Sequence, residues 1–475
     1  MKAPRIAYCS PVNPAPSGIS DYSEELLPFL AQYAEVTLFV EDGLKPSNPA
    51  LSRHLDVQPL RRLERLQRRK PFDGLVYHIG NSPAHARIWR AAQRLPGVIV
   101  LHDFVLHHFM LWYAANIEHN VQGYVQMMSA RYGVDGQHMA QLMIRSRFSD
   151  AAFDFPCCEA VIGAARGLIA HSRYVAERVA AMRPELSHTV VPMGVPLPPL
   201  RDRPAARTRL GLPAEARIIA SFGHINAYKR LEPALRALSA LRAEGRDVRY
   251  ILVGSSSPNY DVNGLVARMG LSDAVSITGY VPREQFEDYV AAADLCLNLR
   301  HPTGGETSAS LLRLLGAGRP TLVSATGSFA ELPPGVAAQI DPDASEGELL
   351  LATCRLLLDQ PALAEQLGAN ARGFVAREHT LDQAAQGYAR FLARLYGWPA
   401  VARLRAGPLW QEPGDIPTGR QGEKEINDAP LPATPVPPLV QSVARAMAEI
   451  GLNEGDERLL RTVAEQVSEL GASTS

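Results

Sequence analysis

The chain has 475 residues, of which 46% are hydrophobic and 20% are charged. It is too long for one ordinary core and long enough for two domains of the usual size. With 48 basic and 49 acidic residues its formal charge is -1, and no block of like charge dominates, so the sequence excludes nucleic acid as an expected partner.

Cysteine usage and the N-terminus predict the cellular compartment. The five cysteines are an odd number without metal-site spacing, and MKAPRIAYCSP lacks the long apolar core of a signal peptide. The sequence has no run of about 18 apolar residues that would span a bilayer. We therefore expect a cytoplasmic protein, with any membrane contact peripheral and at the inner face of the cell membrane.

Short apolar runs alternate with amphipathic helical segments through the first half of the chain. This alternation is typical of a parallel sheet covered by helices. We predict strands within RIAYCSP (5–11), VTLFV (36–40), GLVYHIG (74–80), VIVLHD (98–103) and GLIAHS (167–172).

The same alternation restarts after a proline-rich stretch, VPMGVPLPPLRDRP (191–204), which suits neither a helix nor a central strand. We interpret that stretch as an interdomain linker. The fold class is therefore α/β, with two Rossmann-like doubly wound domains facing a cleft. The strands predicted in the second domain lie within RIIASFGHI (217–225), VRYILVGS (248–255), VSITGYV (275–281), LCLNLR (295–300) and TLVSA (321–325).

An arginine-rich segment early in the chain has two interpretations. LRRLERLQRRK (60–70) places Leu60, Leu63 and Leu66 at helical spacing among five arginines and a lysine. Such a helix suits an anionic membrane surface, where a lipid-linked acceptor would lie. A solvated helix that packs on its own domain has the same pattern.

A stretch in the second domain combines strand-to-helix geometry with two cations. SFGHINAYKRLEPALRAL (221–238) places Gly223, His224, Lys229 and Arg230 between a strand and a helix. Lysine and arginine at a helix N-terminus suit the oxygens of a diphosphate, although a solvated helix start has the same composition. The Walker pattern GxxxxGK[ST] is absent, which argues against an ATPase.

A second stretch, HPTGGETSASLLRLLGAGRP (301–320), follows the predicted strand LCLNLR. We expect its helix to begin near Glu306, so that the amides of Thr307 and Ser308 hold a phosphate at the positive helix end beside the Glu306 carboxylate. Arg313, seven residues on, then lies on the same helix face. A favourable first-turn acid after a tight glycine turn is the alternative interpretation.

Four stretches together resemble the retaining glycosyltransferases of family four, which have the GT-B architecture, and the likeness covers about residues 4–397. The resemblance implies that Gly18 lies near the donor phosphates and the acceptor, that His102 lines the reacting sugar, and that Lys229 and Arg230 hold the nucleotide diphosphate. A histidine at a strand end in the core is the alternative for His102. The four stretches are PVNPAPSGISDYSEELLPFLA (11–31), VLHDFVLHH (100–108), FGHINAYKR (222–230) and GGETSASLLRLLGAGRP (304–320).

The resemblance includes a variant of the family's Glu-x7-Glu helix. Arg313 stands where the family's second Glu usually holds the nucleotide ribose, and the first Glu position falls on Gly305, one residue before Glu306. His224 stands where the family usually has a phosphate-binding Arg. We interpret these departures as a GETS...R subgroup, in which Glu306 meets the donor sugar hydroxyls and Arg313 lies toward the ribose or diphosphate.

The resemblance implies a hexosyltransferase-type enzyme. It would move a sugar from a nucleotide-sugar donor to a glycan or lipid-linked acceptor with retention, in envelope or exported polysaccharide synthesis, with His102, Glu306 and Lys229 as catalytic residues. No cofactor and no metal are implied, and we interpret the motif DPD (341–343) as a turn. A catalytically silent sugar-nucleotide-binding subunit and a nucleotide-sugar isomerase remain as alternatives.

The same considerations divide the chain into five parts. We expect an acceptor-side domain over 1–194 and a nucleotide-sugar domain over 195–380. A helix over 381–400 would then cross back to the first domain. The stretch 401–438 is rich in proline, glycine and charge, which predicts a disordered linker, and the helical periodicity of 439–475 predicts a small helical extension.

Overall fold

Two parallel β-sheets covered by helices form the described part of the chain. A computed structural model describes residues 3–145, 147, 150–398, 403–405 and 407–410. One sheet has seven strands and the other has six. The predicted α/β fold class with two doubly wound domains is therefore confirmed.

The first sheet contains all the strands that precede the proline-rich stretch. They are β1 (Arg5–Cys9), β2 (Glu35–Val40), β3 (Asp56–Pro59), β4 (Gly74–Ile79), β5 (Val98–Leu101), β6 (Gly167–Ala170) and β7 (His188–Val190). Their order in the sheet is β3-β2-β1-β4-β5-β6-β7. The order reverses beside β1, which makes this point a ligand crevice in open α/β sheets.

The second sheet repeats this arrangement. Its strands are β8 (Arg217–Phe222), β9 (Val248–Val253), β10 (Val275–Ile277), β11 (Leu295–Asn298), β12 (Thr321–Ser324) and β13 (Ala338–Ile340). They are ordered β10-β9-β8-β11-β12-β13, so the reversal lies beside β8.

Helices cover both sheets. In the first domain they are α1 (Gly18–Leu30), α2 (Pro49–His54), α3 (Leu63–Arg69), α4 (Ala86–Arg94), α5 (His107–Asn116), α6 (Val121–Ile144), α7 (Glu159–Ala164) and α8 (Arg173–Met182). In the second they are α9 (Arg203–Leu210), α10 (Leu231–Ala243), α11 (Val262–Arg268), α12 (Arg283–Ala292), α13 (Ala309–Gly316), α14 (Glu346–Asp359) and α15 (Pro361–Glu378), followed by α16 (Leu381–Tyr396).

The central strands are buried on both faces. In β1, residues 6–9 have no exposed surface, because helices cover both sides of the sheet. Their apolar runs are therefore continuous, as is typical of parallel sheets. The strands β3 and β7, which the sequence did not predict, are short edge strands whose residues are mostly half-buried, so they have no such run.

Helix α16 follows the second domain but packs on the first. Tyr22 of α1 donates a hydrogen bond to the hydroxyl of Tyr388, with 3.2 Å between the oxygens. On β6, a Cβ atom on Gly167 would come within 2.7 Å of Leu395 and 3.0 Å of Phe391. The absence of a side chain at Gly167 therefore allows α16 to approach the sheet.

The segments 403–405 and 407–410 continue this packing on the first domain. The backbone N–H of Leu409 donates to the carbonyl of Pro28 in α1 at 2.8 Å. The Trp410 side chain is 8% exposed and belongs to the same hydrophobic cluster as α1 and α16. These residues therefore form part of the core.

This packing corrects the predicted boundary of the C-terminal linker. The prediction of a disordered linker over 401–438 is wrong for its first part, because an aromatic side chain there is buried against the first domain. The composition of the stretch as a whole concealed this local contact. The remainder of the linker and the helical extension over 439–475 lie outside the described residues.

The arginine-rich segment packs its leucines on its own domain. A 3-10 turn over Leu60–Arg62 leads into α3, and Leu60 and Leu63 are buried, with Leu66 packed beside them. This arrangement favours the interpretation as a solvated helix that packs on its domain. Among the described helices, none is long and apolar enough to cross a bilayer.

We expect Trp410→Ala to lower the free energy of unfolding by about 3 kcal/mol, because it removes a large buried side chain. Leu404→Ala is the matched control, since Leu404 lies in the same segment but is 46% exposed. Urea denaturation of the full chain measures both. Equal stability of the two variants would show that the Trp410 contact does not stabilise the fold.

Candidate active site

The carboxyl ends of the two sheets face a shared cleft that contains a cavity of about 590 Å³. Gly18 and Glu25 line it from the first domain, and Gly223, His224 and Arg313 line it from the second. Both walls lie at the points where the strand order reverses. Four of the predicted donor-binding residues therefore meet at one cavity.

His102 follows β5 and belongs to a group of buried histidines. Its Nε2 lies 2.9 Å from Nδ1 of His78. Burial, reinforced by the nearby His171, lowers the pKa of His102 well below its usual value, so the ring is neutral. Its Nδ1 is buried without a hydrogen-bond partner among the described residues. One ring nitrogen is therefore fixed by His78 and the other is not engaged.

Asp103 is a second polar group at the end of β5. Its Oδ2 accepts a hydrogen bond from the backbone N–H of Asn81 at 2.7 Å, and it does not cap the helix that follows. Helix α5 has no side-chain cap. Burial and the nearby Glu306 raise the pKa of Asp103 to about 7. The Asp103 carboxyl group is therefore close enough to Glu306, an acid of the second domain, to be affected by its charge.

Glu306 lies in the loop after β11, where its side chain is 13% exposed. One carboxylate oxygen accepts from the guanidinium of Arg300 at 2.5 Å, and the other accepts from the hydroxyl of Thr303 at 3.1 Å. These contacts hold the carboxylate in one orientation. Because each oxygen has two lone pairs, the carboxylate can still accept hydrogen bonds from the hydroxyls of a ligand.

Helix α13 begins later than predicted. Its first residue is Ala309, and Ser308 is the N-cap, whose hydroxyl accepts a backbone hydrogen bond at 3.2 Å. Serine is strongly favoured at this position. Glu306 and Thr307 consequently lie in the loop before the helix. The prediction that Glu306 and Arg313 share a helix face is wrong.

Lys229 lies directly behind Gly223, with 8% of its surface exposed. Its Nζ donates to the carbonyl of Phe222 at 2.6 Å. Burial and the nearby Arg300 lower its pKa to about 7, although Glu306 acts in the opposite direction. A Cβ atom on Gly223 would lie 3.5 Å from Nζ. The glycine therefore leaves the approach from the cavity to the ammonium free of a side chain.

The two other predicted phosphate-binding residues differ in their surroundings. Arg230 is paired with Glu346 of α14, with Nε 3.0 Å from each carboxylate oxygen. Because the Glu346 side chain is only 3% exposed, it requires such a partner, and the structure does not bring Arg230 to the cavity. His224 lines the cavity, with Nδ1 3.3 Å from the hydroxyl of Ser255.

Backbone contacts join the domains at the inner edge of the cleft. The carbonyl of Gly304 accepts from the N–H groups of Phe104 and Val105, at 2.7 and 2.9 Å. Glu331 of the second domain accepts from the backbone N–H of Arg173 at 2.9 Å, at the N-terminus of α8. These contacts fix the loop that carries Glu306 against the end of β5.

Glu25 of α1 forms an interdomain ion pair within the cavity. Its Oε1 lies 2.5 Å from the guanidinium of Arg313 and 3.2 Å from that of Arg283. The Glu25 side chain is 6% exposed. Burial raises the pKa of Glu25, and the two arginines lower it. Arg313 thus lines the cavity, where a first-domain carboxylate holds it, and its predicted role toward the donor stays a prediction.

Sequence reasoning did not identify several of these residues. Asp103 and Arg300 carried a detectable signal, because each is a charged residue at the end of a predicted strand. Glu25 and Arg283 carried no such signal, since each is one of several charged residues on an amphipathic helix. Their pairing depends on how the two domains meet.

Comparison with known proteins agrees with this geometry. Residues 216–359 match the family described as Glycosyl transferases group 1. The chain is 29% identical over 222 residues to a D-inositol 3-phosphate glycosyltransferase of Thermobispora bispora, which covers 44% of this chain and 51% of that protein. It is 27% identical over 159 residues to a 2-deoxystreptamine glucosyltransferase of Streptomyces kanamyceticus, covering 33% and 40%. The chain thus spans about half the length of these curated relatives, or less.

Solved structures extend the likeness to the whole described fold. A sucrose-phosphate synthase from Thermosynechococcus elongatus superposes with a TM-score of 0.60 at 18% identity, over 83% of this chain and 99% of that one. Anabaena HepE, in complex with UDP-glucose, gives 0.58 at 18% identity, over 82% and 99%. At such identity the likeness shows the fold alone. The chain has the predicted GT-B fold, and a segment of its second domain matches the group 1 glycosyl transferase family.

We expect a double-mutant cycle of Glu25→Gln and Arg313→Met to give a coupling energy of at least about 1 kcal/mol in urea denaturation, because the pair is buried. The control cycle uses Arg242 and Asp273, an exposed pair 2.6 Å apart, where we expect less than about 0.5 kcal/mol. Equal coupling in the two cycles would show that the interdomain pair does not hold the domains together.

Proposed function

We propose that this chain is a retaining glycosyltransferase that moves a sugar from a nucleoside diphosphate sugar to a glycan or lipid-linked acceptor. The observation that carries the proposal is the buried ammonium of Lys229, which lies behind Gly223 with a carbonyl as its hydrogen-bond partner. A diphosphate seated against Gly223 would supply an anionic hydrogen-bond partner, which Lys229 lacks among the described residues. The group 1 segment supports the reaction class.

Lys229 would act on the leaving group. As the bond between the anomeric carbon and the phosphate oxygen breaks, negative charge develops on the nucleoside diphosphate. A preorganised ammonium offsets that charge without reorganisation. His224 and Arg313 would face the remainder of the diphosphate and the ribose from the cavity wall. The proposal invokes no metal ion.

Glu306 would hold the donor sugar. Arg300 and Thr303 fix its carboxylate, so it can accept hydrogen bonds from sugar hydroxyls in one orientation. His102 would line the sugar from the first domain, where its neutral ring offers an unengaged nitrogen. In this scheme the acceptor hydroxyl attacks the anomeric carbon from the side on which the diphosphate leaves and gives its proton to the leaving phosphate oxygen, which gives retention and requires no protein nucleophile.

Further observations support a nucleotide-sugar donor, an acceptor at a membrane surface and a cytoplasmic location. HepE, which shares the fold, was solved with UDP-glucose, consistent with a nucleotide-sugar donor here. The first domain also exposes three arginines, Arg61, Arg65 and Arg68, which suit an anionic membrane surface. A lipid-linked acceptor of envelope or exported polysaccharide synthesis would lie at such a surface. The five cysteines are free and buried, consistent with a reducing cytoplasm.

We expect one member of a panel of UDP-, GDP- and ADP-sugars to give nucleoside diphosphate release. With that donor, Glu306→Gln should lower turnover at least about tenfold, or roughly 1.4 kcal/mol of barrier, because it removes the charge that meets the sugar. Glu348→Gln is the control, since Glu348 is an exposed acid of the same domain.

Two results would contradict the proposal. Binding of nucleotide without diphosphate release from any donor and acceptor mixture would indicate a silent subunit. Full turnover by Glu306→Gln would show that this carboxylate only supports the loop. Melting temperatures of both variants distinguish lost chemistry from lost structure.

We expect the affinity for nucleoside diphosphate to be constant below pH 7 and to fall as pH rises above it. The pKa of Lys229 is about 7 in the free protein, and a bound diphosphate raises it, so binding above pH 7 takes up a proton. Calorimetry in buffers of different ionisation enthalpy measures this uptake. Lys229→Ala should abolish it and weaken binding by about 1.5 to 3 kcal/mol. Proton uptake that persists in this variant would assign it to another group.

A further inference from the structure

A second cavity, of about 610 Å³, lies at the amino ends of the strands in the second sheet. Arg217 begins β8, Asp294 directly precedes β11, and Pro320 directly precedes β12, and all three line this cavity. The candidate active site uses the opposite, carboxyl ends of the same strands. We call this second space the rear cavity. Its volume is that of a site for a small molecule.

Arginines outnumber acids in the lining of the rear cavity. Its one buried acid, Asp294, is already saturated, because Oδ2 accepts from the N–H of Ile218 at 2.6 Å and from Arg207 at 2.7 Å. Its Oδ1 lies 3.1 Å from Arg203 and 4.0 Å from Arg217, so three arginines share this one carboxylate. The four lining arginines are Arg203, Arg217, Arg319 and Arg372, against the carboxylates of Asp294 and the exposed Glu365. The lining therefore has an excess of two positive charges.

Two of these guanidinium groups donate hydrogen bonds to neutral carbonyls, which do not offset their positive charge. Arg319 donates to the carbonyls of Ala291 and Ala317, at 3.2 and 3.4 Å, and Arg372 donates to a carbonyl of α13. Neither has a carboxylate partner among the described residues. Burial, and then the like charge of Arg203, lower the pKa of Arg319. The positive charges therefore lie close together in a partly buried space.

One guanidinium nitrogen in the cavity also lacks a hydrogen-bond acceptor. Nε of Arg203 is buried and has no partner within the described ranges. A buried donor without an acceptor costs free energy that a ligand oxygen would recover. A planar guanidinium binds phosphate oxygens in pairs, so an anion here would use both Nε and a terminal nitrogen.

We propose that the rear cavity binds a small organic phosphate monoester. Such a phosphate is close to a dianion at neutral pH, which matches the excess of two positive charges. The opposite wall, formed by the end of α14 and the start of α15, is apolar and would contact the organic part. That wall consists of Leu357, Leu358, Pro361 and Ala364.

Isothermal titration calorimetry of the full chain with phenyl phosphate tests this site. We expect saturable binding at one site, with no binding of phenol, which has the ring but not the charge. The variants use Arg203 and Arg217, because Arg319 also lines the cavity in the cleft. Arg203→Gln together with Arg217→Gln should lower the affinity at least about tenfold, the scale of one charged hydrogen bond.

Two controls separate this site from other sources of phosphate binding. Arg249→Gln should leave the affinity unchanged. Arg249 is as exposed as Arg203, at 37%, but it lies on β9, next to the strand that Arg217 begins, and outside the lining of the rear cavity. Lys229→Ala should also leave it unchanged. Absence of saturable binding at millimolar phenyl phosphate would overturn the proposal. Loss of binding in Lys229→Ala, with retention in the double variant, would assign the phosphate to the cleft instead.

Discussion

The carboxylate of Glu25 determines how the two domains of this protein meet. It is almost fully buried, and a buried charge must be paired, yet its partners Arg313 and Arg283 belong to the other domain. Opening the cleft would separate the buried carboxylate from both guanidinium groups. The width of the cavity and the direction of Arg313 follow from this pair, together with the backbone contacts between Gly304 and the end of β5.

The charges in the cleft are divided between the domains. Acids lie on both sides, Glu25 and Asp103 in the first domain and Glu306 in the second, whereas the cations Lys229 and Arg313 both come from the second. An anionic ligand entering the cavity would meet Arg313 already paired with Glu25, and Lys229 hydrogen-bonded to a carbonyl but to no carboxylate among the described residues. In the proposed function Lys229 would therefore be the main cation for the diphosphate, whereas Arg313 could turn to it only at the expense of the interdomain pair.

The fold could be predicted because parallel strands buried on both faces are continuous apolar runs. β1 and β8 are examples, and the short edge strands β3 and β7 escaped detection because they lack such runs. The positions of Gly18, Gly223 and Arg313 at the cavity followed from strand ends and the family resemblance. The role of Arg230 could not be predicted, because its partner Glu346 is 116 residues away and only the folded chain shows that this acid is buried. The burial of Trp410 could not be predicted either, because only the folded chain shows it.

One physical feature is common to the cleft cavity and the rear cavity. Beside each, a buried or partly buried cation donates to backbone carbonyls, as Lys229 does to Phe222 and Arg319 does to Ala291. A carbonyl satisfies the N–H donor but leaves the charge in place, so burial continues to disfavour the charged form. That is why the pKa values of Lys229 and Arg319 are both lowered, in contrast to Arg230, whose buried carboxylate partner raises its pKa. A bound anion would offset this cost at either end of the sheet, and this is the physical basis of both proposed phosphate sites.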